Sequence, residues 1–118
     1  MYFSDESALD HARELVTQSS EESSTSMRRH LADQIAEMRT RFDSAAIALE
    51  HAKALVSITI IAGDAAAKAQ ATAEIRTIRK AHDTLDIALQ LAAALRNVSA
   101  DEPDSAICLA AAREIQGI

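Results

Sequence analysis

From Leu31 onward the apolar residues recur at alternating steps of four and three: Leu31, Ile35, Met38, Phe42, Ala45, Leu49, Ala52 and Val56. That spacing is the signature of a narrow helical seam, and it predicts one long helix over about 26–61. Arg, Glu and Asp fill most of the intervening positions as far as Asp43. Beyond it a second apolar edge appears, made of Ile47, Leu55, Ile58 and Ile61. The alternation returns at Ala71, Ile75, Ile78, His82, Leu85, Leu89 and Ala92, with Ile87, Leu91, Leu95 and Val98 beside it. A second long helix is therefore expected over about 65–96. Gly63 as a C-cap and Asp64 as an N-cap make the connection tight enough to force an antiparallel hairpin. Two short helices flank it. The first, about 5–18, has Ser4 as N-cap, Phe3 stapled to Ala8, and Leu9, Ala12, Leu15 and Val16 on one face. The last, about 103–116, has Asp101 as cap, Pro103 in its first turn, and Ile107, Ala111 and Ile115 before Gly117. The Ser- and Glu-rich run from Ser19 to Ser26 reads as a polar linker.

The two long segments also resemble each other at an offset of 40 residues. Ile35, Arg39, Asp43, Ile47, Ala48, Leu49, Ala52 and Leu55 meet Ile75, Arg79, Asp83, Ile87, Ala88, Leu89, Ala92 and Leu95. Ser44 meets Thr84. Toward the N-terminus Ala8, Leu9, His11, Ala12 and Leu15 match Ala48, Leu49, His51, Ala52 and Leu55, and toward the C-terminus Glu74 and Ile75 match Glu114 and Ile115. Ala- and Leu-rich amphipathic helices resemble one another by chance, but matched polar positions such as Arg39/Arg79 and Asp43/Asp83 argue for an internal repeat. Its unit reads as one long helix plus its connection, with two whole copies between two halves.

Length adds a geometric constraint. At 1.5 Å per residue each long helix spans roughly 50 Å, whereas the short ones span roughly 20 Å. Both short helices reach the same end of the hairpin and complete a four-helix bundle there, leaving the other end bare unless the first helix slides along the hairpin on its linker and covers it. That tip holds Ile47, Leu55, Val56, Ile58, Ile60 and Ile61 beside Ala66 and Ala69. An exposed apolar patch of that kind marks an interface, so a homo-oligomer, most simply a dimer, is expected through the tip.

Composition supports the helical reading and narrows the function. A chain of 118 residues with two Gly, one Pro and no Trp makes a single helical domain with an aliphatic, Ala-lined core. Its only aromatic residues are Tyr2, Phe3 and Phe42. A net charge of -6 argues against a nucleic-acid partner, because phosphate backbones are held by clustered Lys and Arg. No apolar run is long enough for a membrane span, and no basic stretch followed by an apolar one suggests a secretory signal. Cys108 stands alone, which excludes an internal disulfide and fits a reducing, cytoplasmic compartment.

Candidate chemistry is sparse. None of His11, His30, His51 and His82 follows a Glu by three residues, so the carboxylate–histidine pattern of metal-holding bundles is missing, and no metal or cofactor is expected. No Gly-rich turn presents a nucleophile or cradles phosphate, and Cys108 sits on an Ala-rich face like a small core residue. His82 is the exception, a seam residue whose repeat counterpart is Phe42. Across the hairpin the two are expected to meet in a central polar layer with Arg39, Asp43, Arg79, Asp83 and Asp86. Such a layer more often sets helix register than binds a ligand. The sequence thus points to a non-enzymatic protein–protein interaction module that self-associates and docks a partner on helical faces. A small-ligand or metal-binding bundle centred on His82 is the alternative.

Overall fold

The computed structural model describes residues 4–61, 65–100 and 105–117, and every regular element among them is an α-helix. In chain order these are α1 (Asp5–Glu21), α2 (Thr25–Arg39), α3 (Ala45–Ile60), α4 (Ala65–Ala81), α5 (Leu85–Ala100) and α6 (Ser105–Gln116). The all-α, antiparallel helical packing expected from the hydrophobic pattern is present. No helix among the described residues is long and apolar enough to cross a membrane.

The two long helices, however, are each two helices. The first is interrupted between Arg39 and Ala45, and the second between Ala81 and Leu85. Neither break contains Gly or Pro. At the first, the N–H of Thr40 turns back to the Glu37 carbonyl at 3.1 Å, and Arg41 and Phe42 share the Met38 carbonyl at 3.1 and 3.0 Å. This tightening satisfies the last carbonyls and ends the helix. Ser44 then adopts an extended conformation and its Oγ accepts the N–H of Ile47 at 3.2 Å. Thr84 does the same for Ile87 at 3.2 Å. Ser4 caps α1 through Ser7, and Ser24 caps α2 through Met27. Side-chain N-caps therefore outweigh an uninterrupted seam pattern.

The polar linker over 19–26 is likewise mostly helix. Only residues 22–24 separate α1 from α2. Ser19 is fully buried in the last part of α1, where its hydroxyl meets that of Ser57. Arg28 locks this corner: its Nε donates to the Glu22 carbonyl at 2.6 Å and its Nη1 to the Ser57 carbonyl in α3 at 2.5 Å. The caps expected at Gly63, Asp64 and Asp101, the place of Pro103, the Phe3 staple and the Cys108 side chain lie outside what is described.

The helices pack as a row. α3 is central, with α1 on one side and α5 on the other; α2 packs against α1 and α3, α4 against α3 and α5, and α6 against α5. The result is a slab measuring 48 × 30 × 17 Å over its Cα atoms. α3 carries the core on several sides at once, through Ile47, Leu55 and Ile58, while Ile35, Ile75 and Ile87 meet it from its neighbours. Ala8, Ala12, Ala48, Ala52, Ala54 and Ala94 are all fully buried, which lets the backbones of α1, α3 and α5 approach closely. α2 and α4 are tied to each other by the fork of Arg29 on Glu74, one arm at 2.7 Å, and Arg76 pairs with Glu114 of α6 through two bonds of 2.7 Å. The starts of α1, α3 and α5 fall at residues 5, 45 and 85, and those of α2, α4 and α6 at 25, 65 and 105.

Candidate functional site

The residues expected at a bare tip divide sharply. Ile47, Leu55 and Ile58 are fully buried, because breaking the long hairpin brings α1 and α5 along both sides of α3. Val56 and Ile61 are half-buried, and Ile60, Ala66 and Ala69 are exposed. The uncovered two-helix tip is therefore absent, and most of its apolar surface is the core of the molecule.

The polar layer forms only in part, and not inside a hairpin. Breaking both long helices places the α2–α3 turn beside the α4–α5 turn. There Asp43 Oδ1 receives the Nε of Arg39 at 2.9 Å and lies 2.9 Å from the Nε2 of His82. Burial pushes the Asp43 carboxyl up, but the hydrogen bonds and charges of Arg39 and His82 outweigh it and hold the group below its ordinary value. Arg79 pairs with Asp83 at 3.3 Å, the same i,i+4 geometry that joins Arg39 to Asp43. Phe42 is half-buried against the core, and Asp86 is exposed. Pairs this open to solvent contribute little, typically under about 1 kcal/mol each.

One member of this cluster has no counterpart in the sequence-level layer. His51, on α3, is buried, and the Nη1 of Arg39 donates to its Nδ1 at 3.1 Å. An imidazole accepting at Nδ1 from an always-charged guanidinium is neutral and carries its proton on Nε2. That Nε2 is buried without a hydrogen-bond partner. Burial, helped by the positive charge of Arg39, pushes the His51 pKa down to about 4. The signal available in the sequence was the offset of 40, which puts Leu91, a buried aliphatic residue, in the place of His51.

Elsewhere a cleft of about 350 Å³ is lined by Arg76, Arg79 and Lys80 with Asp83, Leu91 and Glu114. Two of its cations are already engaged, Arg76 by Glu114 and Arg79 by Asp83. No group of three or more His, Cys, Asp or Glu side chains among the described residues is placed to hold a metal ion.

A different surface stands out once α3 is seen to be enclosed. Its uncovered stripe runs along Ala46, Leu49, Lys53, Val56 and Ile60. The same register on α1 carries Glu6, Leu9, Arg13, Val16 and Ser20, and on α5 Asp86, Leu89, Ala93, Arg96 and Ala100. Leu9, Leu49 and Leu89 thus hold one repeated position on three helices that pack in sequence, α1 on α3 and α3 on α5. Leu9 and Leu49 are half-buried, and Leu89 is 51% exposed. On the same stripes stand Arg13, 3.8 Å from Asp10, Lys53, paired with Glu50 at 3.2 Å, and the exposed Arg96. Chemically this is an apolar ridge edged with charges of both signs, the cations Arg13, Lys53 and Arg96 and the carboxylates Glu6 and Asp86. The chain matches no protein-family model, no curated protein and no solved structure.

Proposed function

We propose that the protein is a non-enzymatic interaction module, and that its docking surface is the ridge formed by α1, α3 and α5. The observation that carries this is the trio of Leu9, Leu49 and Leu89. These are large apolar side chains at one repeated register of α1, α3 and α5, with Leu49 on the stripe of α3 that the fold covers least. Leucine there contributes less to the core than the buried positions and costs exposure, which is the usual mark of a contact surface. The partner is a protein segment with apolar residues spaced to meet the leucines and carboxylates to meet Arg13, Lys53 and Arg96. Displacing exposed pairs such as Arg13–Asp10 costs the interaction little.

The reading includes an architecture. Helix starts recur every 40 residues, with Ser4, Ser44 and Thr84 capping α1, α3 and α5 alike. Contacts recur as well: Ser19 meets Ser57 between α1 and α3, and Thr59 meets Asn97 between α3 and α5. Both observations support three helical pairs of one kind stacked in a row, an arrangement whose extended faces suit docking. The alternative of a small-ligand site at His82 is not adopted. Its carboxylates are scattered, with Asp83 on Arg79 and Asp86 in solvent.

The test is a photo-crosslinker placed at Leu49 or, as control, at the exposed Thr77 of α4, in the native host. Adducts of one defined protein are expected from position 49 and not from 77, and Leu89→Glu, at a side chain 51% exposed, should abolish capture by a crosslinker at Lys53 without lowering Tm. Equal labelling from both faces would end the reading. Self-association remains part of the proposal through the apolar residues still open at one end of α3 and α4, Ile60 with Ala66 and Ala69. Light scattering at micromolar concentration should then give more than the monomer mass, with Ile60→Glu restoring it. A monomer for the native chain removes that part.

A further inference from the structure

The slab has two ends, and a comparison within the molecule distinguishes them. α3 covers one side of the α1–α2 pair, and α5 covers the matching side of α3–α4. Beneath α3 lie Ser19, Ala32 and Ile35; beneath α5 lie Thr59, Thr72 and Ile75; all six are buried. The corresponding positions of the α5–α6 pair are Ser99, Ala112 and Ile115. Here Ala112 is exposed and Ser99 and Ile115 are only half-buried.

The opposite end is different in kind. Where α3 has Ala54, Ser57 and Ile58, and α5 has Ala94, Asn97 and Val98, α1 has Glu14, Thr17 and Gln18, all exposed. A polar outer face is what a terminal element needs in order to stay in water, so the α1 end is closed. It also follows that α1 of a second copy is the wrong shape and polarity to settle on α5–α6.

We infer that the α5–α6 end is a docking site for one further amphipathic helix with the chemistry of α3 and α5. The inference rests on the equivalence of the helical pairs proposed above. The occupant is a partner helix bearing an aliphatic residue, Ala seven positions on, a hydroxyl or amide three further, and an aliphatic next to it. That is the pattern of Ile47, Ala54, Ser57 and Ile58, and of Ile87, Ala94, Asn97 and Val98. The alanine lets the backbones approach, the aliphatics cover Ala112 and Ile115, and the hydroxyl or amide meets Ser99 as Ser57 meets Ser19 and Asn97 meets Thr59. Groove packing of a helix by such spaced anchors is a common mode of recognition.

The experiment uses the full chain and three labelled peptides of its own sequence: residues 44–60, 84–100 and, as control, 4–21. The first two are expected to raise fluorescence anisotropy at least tenfold more tightly than the third. Ala112→Glu, at an exposed position, should weaken both at least tenfold with Tm unchanged, whereas Leu49→Glu should not. If neither peptide outperforms the control, or if Ala112→Glu has no effect, the inference is overturned. Loss of binding through Leu49→Glu instead would overturn it while assigning the peptides to the ridge. Binding of only one of the two would overturn it as well, because the equivalence of the helical pairs on which it rests would be broken.

Discussion

Leu55→Ala should destabilise the protein by about 3–4 kcal/mol, the range for a fully buried leucine whose neighbours relax only in part. Leu55 has no exposed surface, and it sits on the central helix, where α1, α2, α4 and α5 all approach. Removing its side chain leaves a cavity that several helices would have to close together, so collapse is incomplete and the cost sits in the upper part of the usual range. Set against a total stability of roughly 5–15 kcal/mol, the loss amounts to a large fraction of what holds the chain folded. Ile60→Ala, five residues on in the same helix but 61% exposed, should cost under about 0.5 kcal/mol. Urea unfolding of the two variants separates a core from an interface. A cost below about 1 kcal/mol for Leu55→Ala would return that residue to the surface, where hydrophobic pattern alone had placed it.

The reason that pattern misplaced it is physical. Met38, Phe42, Ala45 and Leu49 continue the four-three alternation straight through the break at 40–44, because Phe42 in the turn still packs half-buried against the core. Periodicity reports which residues face inward, and a turn that keeps one apolar residue inward is invisible to it. What marks the break is chemical: Asp43-Ser44 and Asp83-Thr84 precede helix starts, as Ser4 does. The offset of 40 that matches Ser44 with Thr84 also carries Ser4 onto Ser44, and an N-cap recognised at Ser4 implies helix starts at the other two. Helical class and the aliphatic core were legible, since each depends on local spacing, whereas Arg39, Asp43, Arg79 and Asp83 were expected in one layer across the hairpin and instead pair locally at i,i+4. Which side of α3 stays open was not, because it depends on how α1 and α5 flank it. The buried Ser19 shows the same limit, as its hydroxyl is satisfied by Ser57, a residue no local rule would pair with it.

His51→Leu is the case in which a sequence rule runs against expectation, since replacing a conspicuous histidine should make the protein more stable. At Leu91 a leucine is already buried in the corresponding register, so the shape is compatible. The substitution removes the Nε2–H that is buried without a partner, and such orphans cost about 1–3 kcal/mol. Arg39 loses an acceptor but keeps Asp43 at 2.9 Å. A gain of about 1 kcal/mol is expected at pH 7.5 as the balance of these effects. The gain should then grow as the solution is acidified. Above pH 6.5 the imidazole is neutral in both the folded and the unfolded chain. Between 6.5 and about 4 the unfolded chain takes up a proton that the folded chain, with His51 buried beside Arg39, refuses. The native protein therefore loses stability as pH falls through that window, by roughly 1.4 kcal/mol per unit. At pH 5 the leucine variant should lead by about 2 kcal/mol more than at pH 7.5. The groups facing His51 from other helices, Arg29, Asp33 and Arg39 of α2 and Glu74 of α4, remain in both proteins and cancel from the comparison to first order. Urea midpoints of the two proteins at both pH values decide it. Parallel pH dependence would mean that His51 is not held neutral by burial, and a variant weaker at both pH values would make the Arg39–His51 bond the larger contribution.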